Sequence, residues 1–90
     1  MKIYIEFSWS LAQKFGKRFL WLDVHSDTQV KDLFLHLLST AMGRDLGETL
    51  FKLFLDGALL VAVNGILITD PSMKLKDGDR VYMQPMAFGG

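Results

Sequence analysis

Ile3, Ile5 and Phe7 alternate with Lys2, Tyr4 and Glu6, the period of a strand with one buried face, and predict a first strand over residues 2–8. Past Gly16 the alternation returns over Arg18 to Val24, with Leu20, Leu22 and Val24 on one side. The two segments are expected to pair as a hairpin through a short connection. The period then changes: Val30, Leu33, Phe34, Leu37, Leu38 and Ala41 fall on one helical stripe, which stops near Gly43. Thr28 is placed to cap this helix with its hydroxyl, and Ser26 with Gln29 has the spacing of an alternative capping box.

Leu46 to Leu55 fits two patterns. Leu46, Leu50, Leu53 and Phe54 suit a short helix, whereas Phe51 to Leu55 could pair across Asp56-Gly57 as a hairpin strand; the short helix is the preferred reading. Ala58 to Val63 is a continuous apolar run bounded by turn residues, and Asn64-Gly65 signals a tight turn into Ile66 to Thr69. Asp70-Pro71 and Asp77-Gly78-Asp79 mark two further turns before a last strand over Arg80 to Pro85. Strands, a helix and strands again form an α+β order in which the helical stripe needs a sheet to cover it. If the last strand lies parallel beside the first, the helix is the crossover and the connection should be right-handed. Residues 1–85 are expected to form one domain, and 86–90 a flexible tail.

Composition narrows what such a domain does. Half of the 90 residues are hydrophobic, ample for a single core. Lys plus Arg and Asp plus Glu balance at 10 each, so no basic field gathers nucleic acid or an anionic membrane, and neither is expected as a partner. The longest apolar run, Ala58 to Val63, is far too short to span a bilayer. The first residues lack the pattern of a signal peptide, so a cytoplasmic protein is expected. With no cysteine in the sequence, disulfides, zinc–thiolate sites and a catalytic thiol are excluded.

Most polar residues offer no chemistry of their own. Ser8 and Ser10 lack a His-Asp arrangement, and Glu6, Asp23, Asp27 and Asp32 read as solvated positions or cap neighbours. His25 and His36 have no evident second ligand, so no metal site is expected. Gly43 to Gly47 lacks the Gly-Lys-Ser/Thr ending of a phosphate loop. Lys14, Lys17, Lys52, Lys74 and Lys76 are expected to face solvent.

Two features remain. If Ile3, Ile5, Leu20 and Leu22 face the helix, alternation places Tyr4, Phe19 and Trp21 on the opposite face, with Tyr82 joining them. Such an exposed aromatic patch marks a partner site, unless Leu46 to Leu55 folds back over it or the chain dimerises there; Tyr4, Phe19 and Trp21 are each expected to be substantially exposed. The second feature is the closing run Phe88-Gly89-Gly90. Two residues without side chains give a terminal carboxylate a thin, flexible approach to a narrow channel, and the five-residue tail of Met86 to Gly90 spans roughly 16–18 Å at full extension.

Leu59-Leu60-Val61-Ala62-Val63-Asn64-Gly65, Leu75-Lys76-Asp77-Gly78-Asp79-Arg80-Val81, Pro85 and Gly89-Gly90, in this order and spacing, resemble the β-grasp sulfur carriers. The resemblance is greatest to the small subunit of molybdopterin synthase, with the thiamine-pathway sulfur carrier and the ubiquitin-like modifiers as relatives. It implies an α+β, ubiquitin-like β-grasp fold: a mixed sheet with one main helix packed on one face. It also implies a carrier rather than an enzyme. A ubiquitin-activating-type adenylating enzyme would use ATP to join the Gly90 carboxylate to AMP, sulfur would replace one oxygen, and the thiocarboxylate would enter the large subunit of molybdopterin synthase. No cofactor is expected on the chain itself. Tyr4, Phe19, Trp21, Tyr82 and Met86 would then meet partners, with Gly89 and Phe88 forming the tail. The same termini serve a modifier that forms an amide between Gly90 and a lysine, a carrier for thiamine synthesis or tRNA thiolation, and an adaptor with a vestigial diglycine. The chain departs from its relatives at Met86, Ala87 and Phe88, where they have a second proline and smaller residues. Phe88 either anchors the tail in a partner's groove, obstructs a narrow tunnel, or packs as an apolar terminal residue against its own domain.

Overall fold

A computed structural model describes residues 1–86, the side chains of Leu37, Ala41 and Arg44 excepted. Strands β1 (Lys2–Phe7), β2 (Phe19–Asp23), β3 (Leu59–Val63), β4 (Ile66–Ile68) and β5 (Arg80–Pro85) form one sheet in the order β2-β1-β5-β3-β4. β5 runs parallel to β1, with Ile5 beside Val81, and antiparallel to β3, with Val61 beside Met83. The sheet is therefore mixed, with the last strand at its centre. Alternation sends Ile3, Ile5, Phe7, Val61, Val63, Val81 and Met83 to one face, where all are buried.

Helices cover that face. α2 (Val30–Asp32), a π-helical segment (Leu33–Leu38) and α3 (Ser39–Met42) run on continuously, and α4 (Arg44–Leu55) follows after Gly43 at φ 107°. Val30, Leu33, Phe34 and Leu38 are buried, as the stripe requires. Leu46 to Leu55 is helical, and its Leu50 and Phe54 join the same core, with the Phe54 ring stacked 5.6 Å from Phe34. The two helical stretches approach closely because Gly47 has no side chain: a Cβ there would collide with the Phe34 carbonyl oxygen and Ser39 Oγ. Ser39 Oγ in turn donates to the Phe34 carbonyl at 3.0 Å, inside the widened π turn.

The connection between the first strands, the strand ends and the helix cap depart from expectation. The connection between β1 and β2 is not a short loop but a helix, α1 (Trp9–Phe15). Ser8 Oγ accepts from the Leu11 amide at 3.4 Å, and Gly16 closes the helix in the left-handed conformation at φ 71°. Ser8 thus ends the first strand one residue early. The second strand spans Phe19–Asp23 rather than 18–24. The cap of α2 is Gln29, not Thr28: the Gln29 amide donates to Asp32 Oδ2 at 2.8 Å, while the Thr28 carbonyl accepts from the Leu75 amide at 2.9 Å. Thr28 is tied into the loop before β5.

The Asn64-Gly65 turn forms as expected, with both residues at positive φ, 52° and 83°. Asn64 Nδ2 donates to Asp79 Oδ1 at 2.8 Å, and Asn64 Oδ1 accepts from the Arg80 amide at 3.0 Å. The buried Asp79 also accepts from the Lys76 amide at 2.7 Å. One cluster of side chains therefore ties the β3–β4 turn to the start of the central strand. The five lysines expected at the surface are exposed.

Candidate functional site

The face of the sheet opposite the helices carries Tyr4 and Glu6 from β1, Phe19 and Trp21 from β2, Tyr82 and Gln84 from β5, and Leu60 and Ala62 from β3. No described helix lies over the aromatics, because α4 packs into the core instead. The rings meet directly: Tyr4 lies 5.4 Å from Phe19 and 4.6 Å from Trp21. The Arg80 guanidinium sits 5.5 Å over the Tyr4 ring, and that of Arg18 5.4 Å over Phe19. Phe19 is 48% exposed and Trp21 64%. Tyr4 departs from expectation. Flanked by two rings and overlaid by an arginine, it is only half-exposed, and it forms the floor of the patch rather than its rim. Tyr82 is likewise half-buried, with its hydroxyl 3.4 Å from Gln84 Oε1.

Register joins this patch to the root of the tail. Glu6 stands between Phe19 and Tyr82 in one cross-strand row, so the aromatic surface reaches the end of the sheet where β5 leaves it. α1 is also at that end. Its first residue, Trp9, is 71% exposed and lines a hollow of about 390 Å³ with Ser8, Ser10, Tyr82, Gln84, Pro85 and Met86. The Met86 amide donates to the Ala58 carbonyl at 2.8 Å, and the Met86 side chain is 40% exposed. The main chain is thus pinned through Met86, beside Trp9 and Tyr82. Phe88, Gly89 and Gly90 lie outside the described residues.

Sequence reasoning missed Trp9. Its signal was present in Ser8 as a capping residue, Leu11 and Phe15 at helical spacing, and Gly16 as a stop. Leu67 was missed as well: pairing opposite Ala62, it continues the same face to the far edge and is 63% exposed.

Among the described residues, the other polar candidates take these settings. Ser8 Oγ lies 3.2 Å from Ser10 Oγ and serves as the cap of α1. His25 and His36 border a shared open hollow of about 590 Å³ with Asp23, Asp27 and Asp32, yet among the described residues no three such side chains are spaced to hold a metal ion. No described helix is long and apolar enough to cross a membrane.

No family model and no curated protein sequence matches the chain. Solved structures do. SAMP1 of Haloferax volcanii, the small archaeal modifier protein 1, matches with a TM-score of 0.75 at 21% identity over 100% of both chains. A putative molybdopterin converting factor subunit 1 of Pyrococcus furiosus gives 0.71 at 20% identity, over 97% of this chain and 99% of that one. A complex of subunits 1 and 2 of the molybdopterin-converting factor of Helicobacter pylori contains a chain that matches at 0.64 and 24% identity over 100% of both. The architecture shared with these neighbours is the ubiquitin-like β-grasp, an α+β fold.

Proposed function

We propose that this chain is a β-grasp sulfur carrier for molybdopterin synthesis, with Gly90 as its acyl site. The Gly90 carboxylate attacks the α-phosphate of ATP in an adenylating partner and releases pyrophosphate. Hydrosulfide, supplied by a sulfur donor, then adds to the acyl carbon, AMP departs with one carboxylate oxygen, the thioacid loses its proton, and a thiocarboxylate remains. A carboxylate is a poor acyl donor until a good leaving group is attached, whereas a thiocarboxylate presents a soft, nucleophilic sulfur. A chain without cysteine carries sulfur on its main chain by this route. The chain supplies the acyl group and the docking surface, and its partners supply the catalysis.

One observation carries the reading. β5 is bonded on both sides at the centre of the sheet, and its end emerges at Met86 beside Trp9 and Tyr82, contiguous with the Tyr4, Phe19 and Trp21 patch. Gly90 is four residues beyond Met86, within roughly 14 Å of it. A partner holding Gly90 in its active site is therefore drawn against this surface. The adenylating enzyme and a large synthase subunit are the partners proposed, the second supported by the two-subunit complex of the H. pylori neighbour.

Deleting Gly90 tests the acyl site. ATP–pyrophosphate exchange with the activating enzyme should be abolished while the circular dichroism spectrum is unchanged, and normal exchange by the truncated chain would remove the proposal. A second reading, a modifier conjugated through Gly90, draws support from the likeness to SAMP1. Abundant Gly90–lysine amides in the cell, without conversion of the pterin precursor, would favour it.

A further inference from the structure

We propose that β2 pairs antiparallel with β2 of a second copy, joining two sheets into one across a twofold axis at Trp21. β2 is an edge strand, and β1 alone hydrogen-bonds to it in the sheet. The Phe7 amide donates to the Arg18 carbonyl and the Val24 amide to the Met1 carbonyl. These bonds fix the phase of the ladder, so the main-chain groups of Leu20 and Leu22 point to β1 and those of Phe19, Trp21 and Asp23 point outward. Edges of this kind are usually blunted by a proline, a bulge or an inward charge. Within Phe19-Leu20-Trp21-Leu22-Asp23 none is present, and the register with β1 is unbroken.

The occupant follows from self-complementarity. Centred on Trp21, an antiparallel pairing sets Trp21 opposite its own copy and Phe19 opposite Asp23. All three residues present outward amides and carbonyls, so about six hydrogen bonds close across the axis. Charge agrees with the direction: Lys17 and Arg18 precede the strand, while Asp23 and Asp27 follow it, so antiparallel copies bring basic ends to acidic ends. Shape agrees as well. A hollow of about 290 Å³ bordered by Lys2, Trp21, Leu22 and Asp23 lies at the position the second copy's Phe19 reaches. Both faces gain cover, since the half-exposed Leu20 would meet Leu22 of the other copy on the helix side while the exposed Trp21 rings meet on the other. Because the pairing is edge to edge, it covers Trp21 and Phe19 but leaves Trp9, Tyr82 and Met86 at the root of the tail open, and the proposal stands apart from the acyl chemistry.

The test is sedimentation equilibrium of the full chain from micromolar to millimolar concentration. The mass should rise from 10.2 kDa to twice that value. Trp21→Glu, which sets two carboxylates at the axis, should remain monomeric with an unchanged circular dichroism spectrum, whereas Ile66→Lys on the opposite edge should dimerise like the parent. The register is read separately in the cysteine-free background. Leu20→Cys mixed with Leu22→Cys should form a disulfide-linked heterodimer, because facing residues of a non-hydrogen-bonded pair have Cα atoms about 4.5 Å apart, and either variant alone should cross-link far less. A parent chain that stays monomeric at millimolar concentration would overturn the proposal and leave the edge to an extended segment of another protein. A dimer that survives Trp21→Glu, is lost in Ile66→Lys, or cross-links equally in each single cysteine variant would also overturn it.

Discussion

Trp9→Ala separates docking from folding at the root of the tail. An aromatic side chain buries roughly 150–250 Å² when fully covered. Trp9 is 71% exposed, so a partner that covers it removes up to roughly 180 Å² from water, worth about 4.5 kcal/mol at most at ~25 cal/mol per Å². Side-chain ordering and imperfect fit offset about half of this. The expected loss is about 2 kcal/mol, or ~30-fold in Kd. Folding should suffer less. The fraction already covered is below a third, and alanine at the first helical position offsets part of its loss by roughly 0.5 kcal/mol. A net change of about 1 kcal/mol lowers the melting temperature of a domain this size by ~4–8 °C. Calorimetric titration against the adenylating partner, with a thermal melt of the isolated chain, reads both quantities. A Kd within about twofold of the parent together with a large drop in melting temperature would refute the reasoning and make Trp9 a packing residue of α1.

Gly47→Ala should destabilise the chain by about 1–2 kcal/mol in urea, since overpacking against the Phe34 carbonyl and Ser39 Oγ costs ~1–3 kcal/mol and the helical preference of alanine returns up to ~1. Thr49→Ala, exposed on the same helix, should stay within about 0.5 kcal/mol, and equal effects at the two positions would contradict the close approach. Asn64→Ala should cost about 2–3 kcal/mol, through the hydrogen bonds to Asp79 and the Arg80 amide and the strain of a positive φ. Asn64→Gly should recover the strain alone, about 1 kcal/mol; identical stabilities for the two variants would show that φ contributes nothing.

The sheet was legible wherever period-two alternation was unbroken, as at Ile3, Ile5 and Phe7, or bounded by a strong turn, as at Asn64-Gly65. Local hydrogen bonding was harder to read. Ser26, Thr28 and Gln29 are each placed to cap α2, and which of them does so depends on partners far along the chain, such as Leu75 bonding to the Thr28 carbonyl. The seven-residue α1 is too short for its periodicity to dominate the alternation on either side. The π segment and the Gly47 contact are tertiary, because the glycine matters only where the Phe34 carbonyl meets it. For the site, alternation placed Phe19 and Trp21 correctly on the open face. It could not show that Tyr4 is shielded by both rings and by Arg80, since shielding depends on side-chain direction rather than parity.

Intact mass spectrometry of the chain isolated from its native cell reads out directly the sulfur proposed for Gly90. A thiocarboxylate at Gly90 should give a population heavier than the unmodified chain by the difference between one sulfur and one oxygen atom, with the added mass confined to the C-terminal fragment that contains Gly90. This population should vanish when the adenylating partner is removed. A chain that remains wholly unmodified in the presence of that partner, or whose only added mass is an amide bond to lysines of other proteins, would contradict the proposal.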